Sequence, residues 1–170
     1  MHITTNGFVV HKQDLKDFDI LVTILSLEHG LFKAVAPRAK KKSNVLAQLE
    51  PFQESVFIIN RTENLGTIYH IDPKTFFTGI RDSYEAYLLA SHFTITIRAL
   101  LPPDMPNPAL YNLYRQYLYL VSETPYNKLS ISEAFYGAVL HAEGLAEKNE
   151  PVPELRFKKA IYEYCGVILD

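Results

Sequence analysis

The sequence predicts an α+β chain: a five-stranded β-barrel over residues 1–80, followed by an all-helical domain over residues 81–170. Three observations carry that expectation. Short runs rich in Val, Ile, Phe and Thr recur as far as Ile71, and after Asp72-Pro73 the apolar period becomes helical. Residues 1–81 hold ten Lys or Arg against eight Asp or Glu, whereas residues 82–170 hold seven against eleven, so the halves differ in sign of charge. The 170 residues are 48% apolar and 21% charged, enough to bury a core in each half.

Strand-like runs occupy residues 3–12, 19–27, 31–36, 54–61 and 66–71. Polar or glycine-bearing joints separate them at residues 13–18, 28–30, 37–51 and 62–65. His29-Gly30 marks a tight hairpin. Val45, Leu46 and Leu49 are spaced for one helical turn between the third and fourth runs. Five short strands with a helical turn in that place are the outline of an OB-fold. In the second half, Ala86, Leu89, Ala90, Phe93, Ile97, Leu100 and Leu101 follow helical spacing until Pro102-Pro103. Asn107 then caps a helix with Pro108 at its first position, and Leu110, Leu113, Tyr114, Tyr117, Leu118 and Val121 form its core stripe. Tyr111 and Tyr119 point off that stripe and could line a groove. Ser130-x-x-Glu133 reads as a capping box opening a third helix with Phe135, Ala138, Val139 and Ala142 inside. Residues 154–164 form the last helix, stopped by Gly166.

Few chemistries survive inspection. No run approaches the ~18 apolar residues that cross a bilayer, and the start MHITTNGFVV lacks the charge-then-apolar pattern of a signal peptide. A soluble, intracellular protein is expected, with the Asn60-Arg61-Thr62 sequon silent. The six histidines are scattered without ligand spacing, and Cys165 alone makes neither a disulfide nor a zinc site, so it reads as a buried structural thiol. Asp14, Asp17 and Asp19 could hold a metal, but a turn is the simpler account. No phosphate-cradling or nucleophile motif is present, so neither an enzyme nor a cofactor is expected.

One stretch stands apart. VAPRAKKKSN places Arg38, Lys40, Lys41 and Lys42 within five residues, with Lys33 just upstream and no acidic residue from 32 to 48. Such density contacts phosphates, and release of their condensed counterions drives binding. Lys12 and Arg61 are candidates to extend this surface, and Phe8 and Phe32 are weighed as base-stacking groups against the simpler reading as core. About four neutralised phosphates on a single strand would give a slope of log K against log salt near −3.

The set TNGFVVHK (residues 5–12), LVT, EHG, KAVA, RAKKKS and LEPF, in this order, resembles the N-terminal domain of the bacterial recombination mediators of the RecO family. The likeness continues more loosely through residues 87–101, Asn107-Pro108 and 157–170. The resemblance implies an OB-fold followed by a helical domain, in a cytoplasmic, nucleoid-associated protein that binds single- and double-stranded DNA and anneals complementary strands. It implies action with RecR, and with RecF where present, in loading the RecA recombinase. In some members the helical domain docks the acidic C-terminal tail of single-strand-binding protein. Lys33, Arg38, Lys40, Lys41 and Lys42 match the family's basic stretch and take its DNA-binding role. Longer members carry a cysteine-ligated zinc element after the segment matching residues 162–170, and Cys165 alone cannot replace it, so no metal is expected. The rival reading is a protein-interaction scaffold whose OB-fold does not itself bind DNA.

Overall fold

The computed structural model describes residues 1–124 and 128–170, which fall into two compact units. The first comprises Met1–Phe76 with Leu101–Pro108, and the second Phe77–Leu100 with Ala109–Asp170.

Five strands close the barrel in the first unit: β1 (His2–Asp14), β2 (Ile20–Ser26), β3 (Gly30–Ala36), β4 (Gln53–Arg61) and β5 (Gly66–Phe76). Their order is β1-β2-β3-β5-β4, as expected of an OB-fold. β1 is long enough to serve two neighbours. Its first part pairs with β4, from His2↔Asn60 to Phe8↔Glu54, and its second with β2, from Gly7↔Ser26 to Asp14↔Ile20. Alternation sends Val22, Ile24, Ala34, Phe57 and Ile59 into the core, which the short helix α1 (Ser43–Gln48) helps to cover through Val45 and Leu46. The seam between β3 and β5 is narrow: they pair in parallel only at Ala34↔Gly66 and Val35↔Thr67.

β5 runs on through Asp72-Pro73 to Phe76, where the sequence suggested a strand end. Proline is tolerated because this part of β5 has β4 on one side and no β3 partner on the other. A register irregularity between Glu54 and Ser55 accommodates Pro73 opposite Ser55. The His29-Gly30 hairpin turns through residues 27–29, with Gly30 at φ +71°. A Cβ there would lie 2.5 Å from the Met105 carbonyl oxygen, so only glycine fits. Met105 belongs to residues 101–108, which the sequence placed with the helices. This segment instead packs on the barrel: the Asp104 amide donates to the Leu31 carbonyl at 2.8 Å, and Pro103 bridges to Leu31.

The second unit contains α2 (Tyr84–Leu100), α3 (Pro108–Glu123, entering from Ala109), α4 (Lys128–Ala142) and α5 (Glu154–Cys165). Phe93 stacks on Phe135 at 3.9 Å and Tyr117 meets both rings edge-on, which locks α2, α3 and α4 together. Tyr136 stacks on Phe157 at 4.6 Å and fastens α5. α4 is central, so its residues are buried on nearly every side from Phe135 to Leu140.

Four helical expectations change. Tyr111 is buried and Leu113 only half-buried, because α3 packs over a wider arc than a single stripe. Ser130 lies inside α4, which already runs from Lys128, so it does not cap the helix. Ala142 is exposed. Cys165 is exposed too, its thiol donating to the Ile161 carbonyl at 3.4 Å, so it is no buried structural thiol.

Candidate nucleic-acid interface

Register brings the basic stretch and the aspartate-rich joint to one end of the barrel. Asp14 pairs with Ile20 and Ile20 with Ala36, so the β1–β2 and β3–α1 loops emerge side by side. Residues 16–18 and 39–41 form short 3-10 turns that touch each other. Arg38 takes the left-handed conformation at φ +53°, and its amide donates to Asp19 Oδ1 at 2.8 Å. Ala39 is buried in the core beneath the loop. An apolar anchor and a cross-loop hydrogen bond therefore fix the loop. Arg38, Lys41 and Lys42 are left facing solvent.

The loop is also less unbalanced than the local sequence suggested. Lys40 Nζ pairs with Asp14 Oδ2 at 2.9 Å, and Lys12 Nζ with Glu50 Oε1 at 2.7 Å. Across residues 12–19 and 37–50, six cations face four carboxylates. Arg38, Lys41, Lys42 and Lys16 have no ion-pair partner among the described residues. Exposed pairs are each worth only ~0–1 kcal/mol, so a phosphate can compete for Lys12 and Lys40.

The remaining candidates separate. Lys33 is exposed on β3, about 13 Å along the strand from Pro37 at ~3.3 Å per residue. Arg61 is not part of this surface: its side chain is only 14% exposed, lies over the Phe32 ring at 4.5 Å and pairs with Asp104. Phe8 and Phe32 are buried, which removes both as stacking platforms. Asp14 pairs with Lys40, Asp19 accepts from the Arg38 amide, and Asp17 sits in the turn with φ +59°; no group able to hold a metal occurs among the described residues.

Two exposed aromatics escaped the sequence reading. Phe18 is 51% exposed at the β1–β2 turn, with Lys41 Nζ 4.2 Å from its ring centre, a cation–π contact. Tyr69 is 63% exposed on β5. The signal for Phe18 was its place between aspartates in a polar joint, where no core position was expected.

In the second unit, α2, α4 and α5 frame a cleft of about 360 Å³ lined by Glu85, Leu88, His92, Tyr136 and Glu154. Tyr136 Oη and His92 Nε2 are 2.8 Å apart, and burial holds His92 below its usual pKa. The hydrogen bond from Lys158, at 2.8 Å, draws the Glu154 carboxyl below its ordinary range. Two carboxylates make this cleft a poor match for an acidic peptide tail. No helix among the described residues is long and apolar enough to cross a membrane.

The family models for the N-terminal and C-terminal domains of recombination protein O match residues 1–77 and 81–140. The DNA repair protein RecO of Alkaliphilus metalliredigens is 26% identical over 146 residues, covering 85% of this chain and 59% of that protein. Its counterpart in Pelotomaculum thermopropionicum is 30% identical over 69% of this chain and 46% of that protein. That of Pseudoalteromonas atlantica is 25% identical over 93% and 68% respectively. The chain thus spans about three-fifths of the first of these relatives and under half of the second. With the two domain models of one family matched in order, the first on the barrel sequence and the second on helical sequence, the chain belongs to the RecO family of DNA repair proteins.

Proposed function

We propose that the barrel end formed by the β1–β2 and β3–α1 loops is a phosphate-binding surface. On this reading the chain is a non-catalytic DNA-binding mediator of recombinational repair. Arg38, Lys41 and Lys42 contact the backbone, and Lys40 and Lys12 add to them only when released from Asp14 and Glu50. Lys33 supports a strand lying across β3. Neutralising phosphates on two strands at once lowers their mutual repulsion, which is the physical basis proposed for annealing. Cooperation with RecR, and with RecF where present, in loading RecA belongs to the same reading. The single observation that supports it best is the row of exposed, unpaired cations held on a fixed loop.

The test is the triple variant Arg38→Ala/Lys41→Ala/Lys42→Ala against wild type, on single strands of several sequences. Affinity should fall to a similar extent on each sequence, because phosphate contacts carry no base information. Unchanged affinity at low salt would remove the loop from the mechanism. A scaffold that binds protein rather than DNA is the second reading, favoured by the pairing of Lys12 and Lys40. It predicts no DNA binding by wild type and RecR binding that the triple variant retains.

A further inference from the structure

Beside the basic loop lies a small cleft where pairing between β3 and β5 ends. It measures about 190 Å³, and its lining includes Pro37, Lys42, Asn44, Gln48, Tyr69 and His70. α1 forms one wall and β5 the other. Tyr69 reaches the surface through a β-bulge: Ile58 pairs with His70 and Ile59 with Ile68, so Tyr69 is the extra residue. The bulge breaks the alternation, and Tyr69 and His70 are both exposed in succession. The His2 ring packs 5.8 Å from that of Tyr69. The side-chain amides of Asn44 and Gln48 have no hydrogen-bond partner among the described residues, and Lys42 has no ion pair.

The cleft is smaller than the ~300–1,000 Å³ typical of small-molecule pockets. It presents an exposed aromatic face, two amides able to donate and accept, and a cation continuous with the proposed phosphate surface. We infer that it is a subsite for one unpaired nucleobase. Tyr69 stacks on the base, Asn44 and Gln48 hydrogen-bond its edge, and Lys42 takes the adjoining phosphate. A base inside a duplex has its faces covered by neighbouring pairs, so the subsite selects single strands; stacking of this kind is tolerant of sequence. The inference rests on the DNA-binding reading above and adds to it the discrimination between single and double strands.

The test compares wild type, Tyr69→Leu and Asn44→Ala/Gln48→Ala on a labelled single strand, the same strand bearing abasic sites, and the matching duplex. Tyr69 is exposed, so the leucine variant should fold, and an unchanged thermal midpoint checks this. Tyr69→Leu should weaken single-strand binding roughly ten-fold, within the range of base–aromatic stacking, and leave the salt slope and duplex affinity unchanged. On the abasic strand wild type and variant should bind alike. Equal losses on single strand and duplex, or no loss on the single strand, would overturn the subsite while leaving the phosphate surface standing. Failure of wild type to bind any of the three probes would overturn both.

Discussion

Asp14→Asn should make this protein bind DNA more tightly, although it deletes an ion pair. Asp14 is the carboxylate that holds Lys40, at 2.9 Å, on the rim of the basic loop. The pair is exposed, so its loss should change stability by less than ~1 kcal/mol. With the pair intact, Arg38, Lys41 and Lys42 are the free cations of the 38–42 stretch, and three phosphate contacts on a single strand give a slope of log K against log salt near −2. Freed from Asp14, Lys40 adds a fourth contact, and the slope should steepen by about 0.7. At about 0.1 M salt that increment is worth roughly 0.7 log units, a five-fold gain in affinity that shrinks as salt rises towards 1 M. Fluorescence anisotropy of a labelled single strand across a salt series reads both quantities. Glu63→Gln is the control, changing the net charge equally from the turn after β4, at the other end of that strand from α1. Equal gains from both variants would mean that net charge alone acts. No gain from Asp14→Asn would mean that Lys40 lies outside the interface.

Four further predictions concern the folded state. Ser55 Oγ is a buried hydroxyl without a hydrogen-bond partner among the described residues, so Ser55→Ala should stabilise the barrel by up to about 1–2 kcal/mol in chemical denaturation; destabilisation would show that the hydroxyl is satisfied in solution. Gly137→Ala would place a Cβ 1.7 Å from the Glu150 carbonyl oxygen, where the chain before α5 folds back and the Val152 amide donates to the Glu133 carbonyl, so a loss of ~2 kcal/mol or more is expected; a neutral outcome would show that this segment is not seated on α4. His92 is held below its usual pKa by burial, opposed in part by Glu154. The unfolded chain therefore takes up the proton more readily, and this contribution is full above pH ~6.5 and declines as pH drops through that value. Denaturation midpoints should fall between pH ~7.5 and ~5.5, and His92→Gln should flatten that fall. At the alkaline end the sign reverses: burial lifts Tyr136 to about 12 and raises Tyr114 further, so stability should decline as pH rises above the ordinary tyrosine value near 10.

What the sequence could reveal depended on how local the cause was. The five strands were legible because one wet face and one buried face impose period two within each run. The start of α3 at Pro108 and the stop of α5 at Gly166 were legible for the same reason, since proline and glycine act on their own backbone. Pro73 misled because its tolerance depends on which neighbour β5 lacks there, a property of the whole barrel. Tyr111 misled because α3 packs on more than one side.

The site divides in the same way. The cations of the 38–42 stretch were visible as a cluster, and their exposure followed from being in a loop. Their counter-charges were not, because Asp14 and Glu50 approach Lys40 and Lys12 only through strand register. The Ala39 anchor was equally hidden, since an alanine in a polar run carries no signal of burial. Tyr69 looked like one more aromatic in a strand, and only a bulge in the register with β4 turns it outward beside the basic loop.

The central claim is that a fixed cationic loop binds the nucleic-acid backbone. It is tested most directly by anisotropy of a labelled single strand of about 30 nucleotides, titrated with the wild-type chain from ~50 to ~300 mM salt. Micromolar or tighter binding at low salt, with a slope near −2, is the predicted result. An absence of binding at the lowest salt, or an affinity indifferent to salt, would contradict it.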